Sequence, residues 1–372
     1  MIVYSNTAIQ FRQDVDENRI TERIEQSFLI RFGYLPGDAE RRSWQNSMQF
    51  MGSVIRQAEI PDDCGVLIEY NIPSTSKRID FMITGQDTER RYSFVIVELK
   101  QWNRADATSR ADVVSTYTGS RYQDVPHPSY QAFSYLQFMM NMNEAVQSGG
   151  FVGRACAYLH NYARKTPEPL LQTQYQDIVN SAPVFFREDQ RNLQRFLYQN
   201  LANGNGINTM HLIEHGRLRP SQRLMDHVAG LFQGNEEFVL LDEQKVVFET
   251  ILEYALTATR KTVVMVKGGP GTGKSVLSMN TFGRLLQARR NVRFVAPNAA
   301  FRTVMIEHLT KARVHSRAVL NGLFSGSARF WNEPTNAYDI LVVDEAHRLK
   351  KRGAYMYRGE NQVDDVIRTS RV

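Results

Sequence analysis

Cysteine is almost missing: Cys64 and Cys156 are the only two in 372 residues. So few thiols exclude a disulfide framework, and no zinc-binding cysteine pattern can be read; a reducing cytosol is compatible. Long apolar runs are missing too. None approaches the about eighteen residues that a membrane-spanning helix needs. The N-terminus, MIVYSNTAIQFRQDVDENR, mixes charges of both signs and has no apolar stretch of the secretory-signal kind. Internal repeats and low-complexity tracts are also absent. The expectation is therefore a cytoplasmic globular protein with no membrane partner. The apolar fraction of 42% and charged fraction of 23% fit that class. The length allows two domains, each with its own core. The net charge of +6 suits a polyanionic partner.

Against these absences stands a glycine-rich run, GGPGTGKS at Gly268–Ser275, directly after the apolar run Thr262–Val266. It fits G-x-x-x-x-G-K-[ST] in full, and the pattern predicts a strand, a loop and a helix in that order. Gly269, Gly271 and Gly273 would let backbone N–H groups close around phosphates, where a Cβ blocks the approach, and Thr272 lies in the same nucleotide-binding loop. Lys274 would reach the β- and γ-phosphates, and the Ser275 hydroxyl would hold Mg²⁺. Farther on, ILVVDEAH at Ile340–His347 reads as an apolar strand ending in two carboxylates. Asp344 would hold Mg²⁺ and Glu345 would orient the attacking water. The bland alternative is a chance glycine-rich turn and an ordinary buried strand; two motifs in the right order speak against it.

A second candidate site lies upstream. Lys77–Thr84 and Tyr92–Lys100 are β-like runs joined by the polar turn GQDTERR. If they pair as a hairpin centred on Glu89, Asp80 lies opposite Glu98. Side chains alternate along a strand, so Glu98 and Lys100 share a face. Asp80, Glu98 and Lys100 then converge on one patch. Opposed like charges destabilise a sheet, and a divalent cation between Asp80 and Glu98 removes the conflict; oxygen ligands suit Mg²⁺ or Mn²⁺. Lys100 would position or deprotonate a water, or stabilise charge at phosphorus. Downstream, HPSYQAFSYLQFM reads as a helix with Gln131 and Tyr135 spaced i, i+4 on one face. The alternative is a solvated surface hairpin and a helix with a half-buried tyrosine.

The rest of the pattern gives helices at Glu17–Phe32, stopped at Gly33, and at Arg41–Glu59, then a strand at Gly65–Asn71 before the hairpin. Arg154–Leu159 and Ala182–Phe186 read as strands and Arg187–Leu201 as an amphipathic helix. The run Asn203–Gly206 is the first boundary signal. His211–Gln233 reads as a helical connector, and a new α/β unit starts near Glu236. The expected organisation is therefore 1–205, a connector at 206–235, and 236–372.

Asp80 followed by Glu98-Leu99-Lys100 resembles the PD-(D/E)xK nuclease signature, and Gln131 with Tyr135 looks like the Q-x-x-x-Y motif of its RecB-like branch. This resemblance implies a mixed-sheet, restriction-endonuclease-like α/β domain. It also implies metal on Asp80 and Glu98, with Gln131 and Tyr135 beside it and touching the nucleic-acid strand. The C-terminal part resembles the first RecA-like, P-loop NTPase lobe of a superfamily 1 helicase. There Leu241-Asp242-Glu243-Gln244 looks like the Q-motif, whose glutamine (Gln244) reads adenine. Phe294–Ala300 resembles motif Ia, and Asp344-Glu345-Ala346-His347 matches motif II. Within that superfamily the combination looks like the bacterial Schlafen-type (group 3) DNA/RNA helicase domain. Such a motor needs two lobes, and the residues from Glu236 on are fewer than two lobes need. The lobe is therefore expected to be partial, C-terminally truncated, a weak ATP binder and no translocase.

Together the resemblances imply an ATP-dependent nuclease-helicase using ATP and Mg²⁺ or Mn²⁺, acting on nucleic acid, DNA ahead of RNA, in repair or defence against foreign DNA. An RNA-directed nuclease-helicase and a non-catalytic, ATP-switched nucleic-acid sensor fit the same residues. Other features rank lower. Glu69 is expected to be a solvated strand carboxylate rather than a metal ligand. Trp102 either stacks on a base or seals the hairpin end. His347 belongs with motif II, and the other histidines show no ligand spacing.

Overall fold

Apolar alternation in the N-terminal half builds one mixed sheet, and the nucleotide-motif half builds a separate parallel one. A computed structural model describes residues 2–72, 77–118, 120–216, 239–311, 317–351 and 357–371. The chain divides into two units: Met1–Ser221 with Leu241–Glu243, and Gln222–Leu240 with Gln244–Val372. Each is described by itself.

The first unit opens with β1 (Ile2–Thr7), α1 (Ala8–Asp16), α2 (Ile20–Phe32) and α3 (Asp38–Gln57). Next come β2 (Gly65–Asn71), β3 (Arg78–Gln86) and β4 (Tyr92–Leu99). A small sheet of β5 (Ala105–Ala107), β6 (Val113–Thr118) and β7 (Arg121–Pro126) precedes α4 (Pro128–Met142) and α5 (Glu144–Ser148). The unit continues through β8 (Val152–Leu159), α6 (Gln176–Ser181), β9 (Val184–Phe186), α7 (Gln190–Leu201) and α8 (Gly206–His215). The main sheet has six strands in the order β1-β2-β3-β4-β8-β9. Pairs from β1 to β4 are antiparallel, while β4–β8 and β8–β9 are parallel.

The hairpin register is the one the sequence predicts. Phe81 faces Val97 and Gln86 faces Tyr92, so the pairing is centred on Glu89. Asp87 builds the turn: its carboxylate accepts from the backbone N–H groups of Glu89 and Arg91 and from the Arg91 guanidinium. Such side-chain bonds to nearby backbone fix tight turns.

Each face of the sheet has its own core. Val66, Ile68, Phe81, Ile83, Val95 and Val97 pack with residues of α1, α2, α3 and α7. Leu67, Met82, Phe94 and Ile96 pack with Ala132, Tyr135 and Met139 of α4 and with Met210 and Ile213 of α8. Each fully buried side chain of this size contributes about 1.5–3 kcal/mol. In a regular strand, residues two apart share a face. Ile68 and Tyr70 nevertheless belong to opposite cores, as do Phe81 and Ile79. The break on β2 falls at Glu69, whose φ of 54 lies in the left-handed region, and on β3 at Asp80. A non-glycine residue held there is uncommon and strained. Both cores are thus served while Asp80 stays on the α4 side with Glu98.

The Asn203–Gly206 run is not a loose boundary. Asn203 N–H donates to Gln86 O, Asn205 N–H to the Asp63 carboxylate and Gly206 N–H to Asp63 O. A Cβ on Gly206 would lie 2.0 Å from Gly65 N. These glycines and asparagines serve close packing against β2 and β3, not chain freedom, and α8 continues the first unit. The rest of the expected His211–Gln233 connector, from 217 on, and the expected start near Glu236 lie outside the described residues.

The second unit contains α9 (Glu243–Thr257, whose first residue counts with the first unit), α10 (Lys274–Gln287), β10 (Val292–Val295), α11 (Ala299–Lys311), α12 (Arg317–Leu323), β11 (Phe324–Ser325), β12 (Ile340–Val343) and α13 (Gln362–Thr369). Its three strands run parallel in the order β11-β10-β12. Phe282, Phe294 and Phe324 meet at its core, with ring centroids 5.5–5.7 Å apart. The expected strand at Thr262–Val266 does not form. That run carries no strand pairing among the described residues, and Val263 and Met265 are exposed. An apolar run becomes a strand only when a neighbour takes its N–H and C=O groups, and the apolar pattern names no such neighbour. Among the described residues, no helix is long and apolar enough to cross a membrane.

Candidate active site

The first unit brings Asp80, Glu98, Lys100, Gln131 and Tyr135 into one hydrogen-bonded cluster. Lys100 Nζ donates to Glu98 Oε1 at 2.7 Å and to Gln131 Oε1 at 2.8 Å. Gln131 Nε2 donates to the Tyr135 hydroxyl at 3.0 Å. Asp80 Oδ2 accepts from Leu99 N–H at 2.9 Å. The helix spacing explains the reach: α4 lies over the β4 face, and i, i+4 side chains stack along it. His127 caps α4, its Nδ1 accepting from Ser129 N–H at 3.1 Å, and Pro128 occupies the first turn.

Electrostatics sharpen the cluster. Glu98 is 1% exposed, and its Oε2 has no hydrogen-bond partner among the described residues. Burial, and then the Asp80 carboxylate, push the Glu98 pKa well above the usual carboxylate range. Burial also raises Asp80, against the pull of Lys100 and the Leu99 amide. Burial opposes the charge on Lys100, yet Glu98 and Asp80 outweigh it and raise its pKa. This position suits stabilisation of negative charge on a neighbouring group. Trp102 neither seals the hairpin end alone nor stands free: its ring lies 5.4 Å from Lys100 Nζ, a cation–π contact.

Glu69 departs from expectation. It is buried, accepts from Trp44 Nε1 at 2.7 Å and pairs with Arg78 at 3.1 Å. Burial and then Asp80 push its pKa up to about 7. The left-handed backbone at Glu69 turns its carboxylate into the protein rather than to solvent. Asp242 is a further member of the first unit's cluster that sequence reasoning missed. Its oxygens accept from Tyr135 Oη at 2.9 and 3.1 Å, and Oδ2 stands 3.2 Å from Lys77 Nζ. No local pattern announces a contact 107 residues away in sequence.

On the outer face of α8, His211, Glu214 and His215 place ligand atoms within 4.8 Å of one another. The reading that the remaining histidines lack ligand spacing is thereby corrected; the i, i+3, i+4 pattern was the signal.

In the second unit, the Gly268–Ser275 run is a loop ending at the N-terminus of α10. Gly271 and Gly273 have φ of 74 and 78, where only glycine sits without strain. Lys274 Nζ donates to Gly268 O at 2.9 Å and Gly269 O at 2.7 Å. Thr272 Oγ1 donates to Gly269 O, and Gln244 Nε2 donates to Thr272 O at 2.8 Å. Gln244 thus stands at the loop. Ser275 is half-buried in the first turn of α10. Asp344 is buried just past β12, its N–H donating to Val295 O, and Glu345 follows with φ of 54. Glu345 lies 3.2 Å from His347 Nε2 and 3.7 Å from Arg348 Nε. The motif Ia-like segment leaves β10 at Ala296, where Arg302 donates to the Ala296 carbonyl, and enters α11.

Residues 261–372 match the family model described as Schlafen group 3, DNA/RNA helicase domain. That segment holds the phosphate-loop pattern and the Asp344-Glu345 pair, and the similarity suggests a nucleic-acid-related function for the chain. No curated protein matches. No solved structure matches.

Proposed function

We propose that the protein is an ATP-dependent nuclease-helicase in which the first unit hydrolyses phosphodiesters and the second binds nucleotide. The domain reading is a restriction-endonuclease-like nuclease in the first unit and a RecA-like helicase lobe in the second. One observation carries the nuclease half: the buried, unpartnered Oε2 of Glu98 beside Asp80. A buried carboxylate oxygen without a donor is costly, and a hard divalent cation shared with the neighbouring Asp80 carboxylate is its natural partner. Asp80 and Glu98 would hold Mg²⁺ or Mn²⁺, which supplies Lewis acidity at the phosphodiester and lowers the pKa of a bound water. Lys100, held cationic, would stabilise charge developing on the phosphoryl oxygens. Gln131 holds Lys100 on one side and the Tyr135 hydroxyl on the other, fixing both.

The second unit's reading rests on its loop. The left-handed glycines and the α10 N-terminus suit a phosphate group, and a Cβ on Gly268 would come within 2.7 Å of Thr272 Oγ1. Lys274 would exchange two carbonyls for phosphate oxygens, Ser275 and Asp344 would hold Mg²⁺, and Glu345 would orient a water. The family similarity supports a nucleic-acid strand as partner. We take DNA as the strand and repair or defence against foreign DNA as the setting.

The test is cleavage of matched DNA and RNA oligonucleotides with Mg²⁺ or Mn²⁺. EDTA should abolish it, and Asp80→Ala or Lys100→Ala should lower it by about 10²–10⁴-fold. Wild-type cutting by both variants would show the assignment to be wrong, and the ratio of DNA to RNA cleavage decides the strand.

A further inference from the structure

Two donors beside the cluster are already taken by a carboxylate from the far end of the first unit's chain. Tyr135 is 2% exposed, and its hydroxyl is aimed at Asp242, which is itself 6% exposed. Lys77 pairs with both Asp242 and Glu243. Leu241, preceding them, packs against the α4 core. Asp242 holds φ of 44, in the left-handed region that aspartate enters more readily than most side chains. An unbroken run of contacts joins it to the candidate metal ligands: Asp242 to Tyr135, Tyr135 to Gln131, Gln131 to Lys100, Lys100 to Glu98.

A hydroxyl and an ammonium converging on one anion form the donor set that phosphodiester oxygens take. A carboxylate and a phosphodiester each carry a single negative charge. Both cannot occupy these donors, because like charges at contact distance repel strongly where water is scarce. Asp242 is poorly suited to a ligand role, since both its oxygens are engaged, whereas Glu98 Oε2 is not.

We propose that Lys77 completes, beside the strand contact already expected of Tyr135, a phosphodiester subsite of the first unit, and that Asp242, with Glu243, is an internal stand-in for the strand phosphate that must leave before a strand can bind. The proposal rests on the nuclease reading only for its location beside Asp80 and Glu98. Removing the stand-in's charge should open the subsite, and removing Lys77 should cancel the benefit.

The experiment uses the full chain, EDTA and a fluorescein-labelled single-stranded DNA oligonucleotide, read by anisotropy. Asp242→Asn/Glu243→Gln should lower Kd roughly tenfold, the scale of close charge pairs at interfaces. Adding Lys77→Ala should bring Kd back to the wild-type value or above. The amides are close in shape to the carboxylates, and an unchanged thermal midpoint certifies the fold; Asp242→Asn alone should give a smaller gain of the same sign. Unchanged or weaker binding by the double variant overturns the proposal. So does a gain that survives Lys77→Ala. Loss of metal-dependent cleavage at unchanged Kd also overturns it, by making Asp242 a metal ligand. A tighter Kd in a chain that cuts with no metal would defeat the nuclease reading and leave the subsite standing.

Discussion

The two candidate sites are built in opposite ways. In the first unit the charged groups are buried and already bonded to one another: Lys100 to Glu98 and Gln131, Tyr135 to Asp242. In the second, the glycine-rich loop is largely exposed, and Lys274 rests on the carbonyls of its own loop. A buried cluster fixes geometry at the cost of raised carboxylate pKa values. An exposed loop is held by few contacts and gains order when an anion replaces its internal bonds. The first site should therefore respond to metal and pH, and the second to nucleotide.

The largest effect that could break this contrast is on nucleotide binding. At about one hundred times Kd, MgATP should stabilise the second unit by about 2.7 kcal/mol. Lys274→Ala should erase the shift in thermal midpoint, while Lys100→Ala should leave it whole. A shift that persists in Lys274→Ala would mean that ATP is held elsewhere.

Next in size is a packing change confined to the first unit. Gly206→Ala pushes a Cβ to within 2.0 Å of Gly65 N and 2.3 Å of Thr84 O. Backbone cannot yield as a flexible side chain does, so a loss of about 2 kcal/mol is expected. Chemical denaturation followed on the first unit's transition would measure it; no change would show that Asn203–Gly206 is the loose linker its composition suggests.

Why that run misleads is instructive. Asparagine and glycine serve turns and close backbone approaches alike, and only the partners at Asp63, Gly65 and Gln86 decide which. The β3–β4 hairpin was legible because its register follows from a short turn, which sets the pairing centred on Glu89. The Gln131–Tyr135 helix was legible for the same local reason. Glu69 was not, because its burial depends on one left-handed residue inside a strand. Asp242 was not, because its role is a contact across the chain. The Thr262–Val266 run failed as a strand because apolar character alone does not supply a hydrogen-bonding neighbour.

The smallest predicted effect is on pH dependence. Burial, and then Asp80, raise Glu69 to about 7, so the folded state binds this proton more tightly than the unfolded chain. Its stabilisation is complete below the ordinary glutamate range and disappears as pH rises through about 7. Without metal, the first unit should therefore lose about 1 kcal/mol from this group between pH 6 and pH 8. Glu69→Gln should flatten that part of the dependence, as compared through midpoints at the two pH values. An identical slope in the variant would place the titration elsewhere.

The central claim is that the orphaned oxygen of Glu98 marks a divalent metal site. Calorimetric titration of Mn²⁺ into the nucleotide-free chain at pH 8 tests it most directly. We predict binding that weakens as pH falls, because protons compete for Asp80 and Glu98, and that is lost in Glu98→Gln but kept in Lys274→Ala. Binding of equal strength in Glu98→Gln would contradict the account.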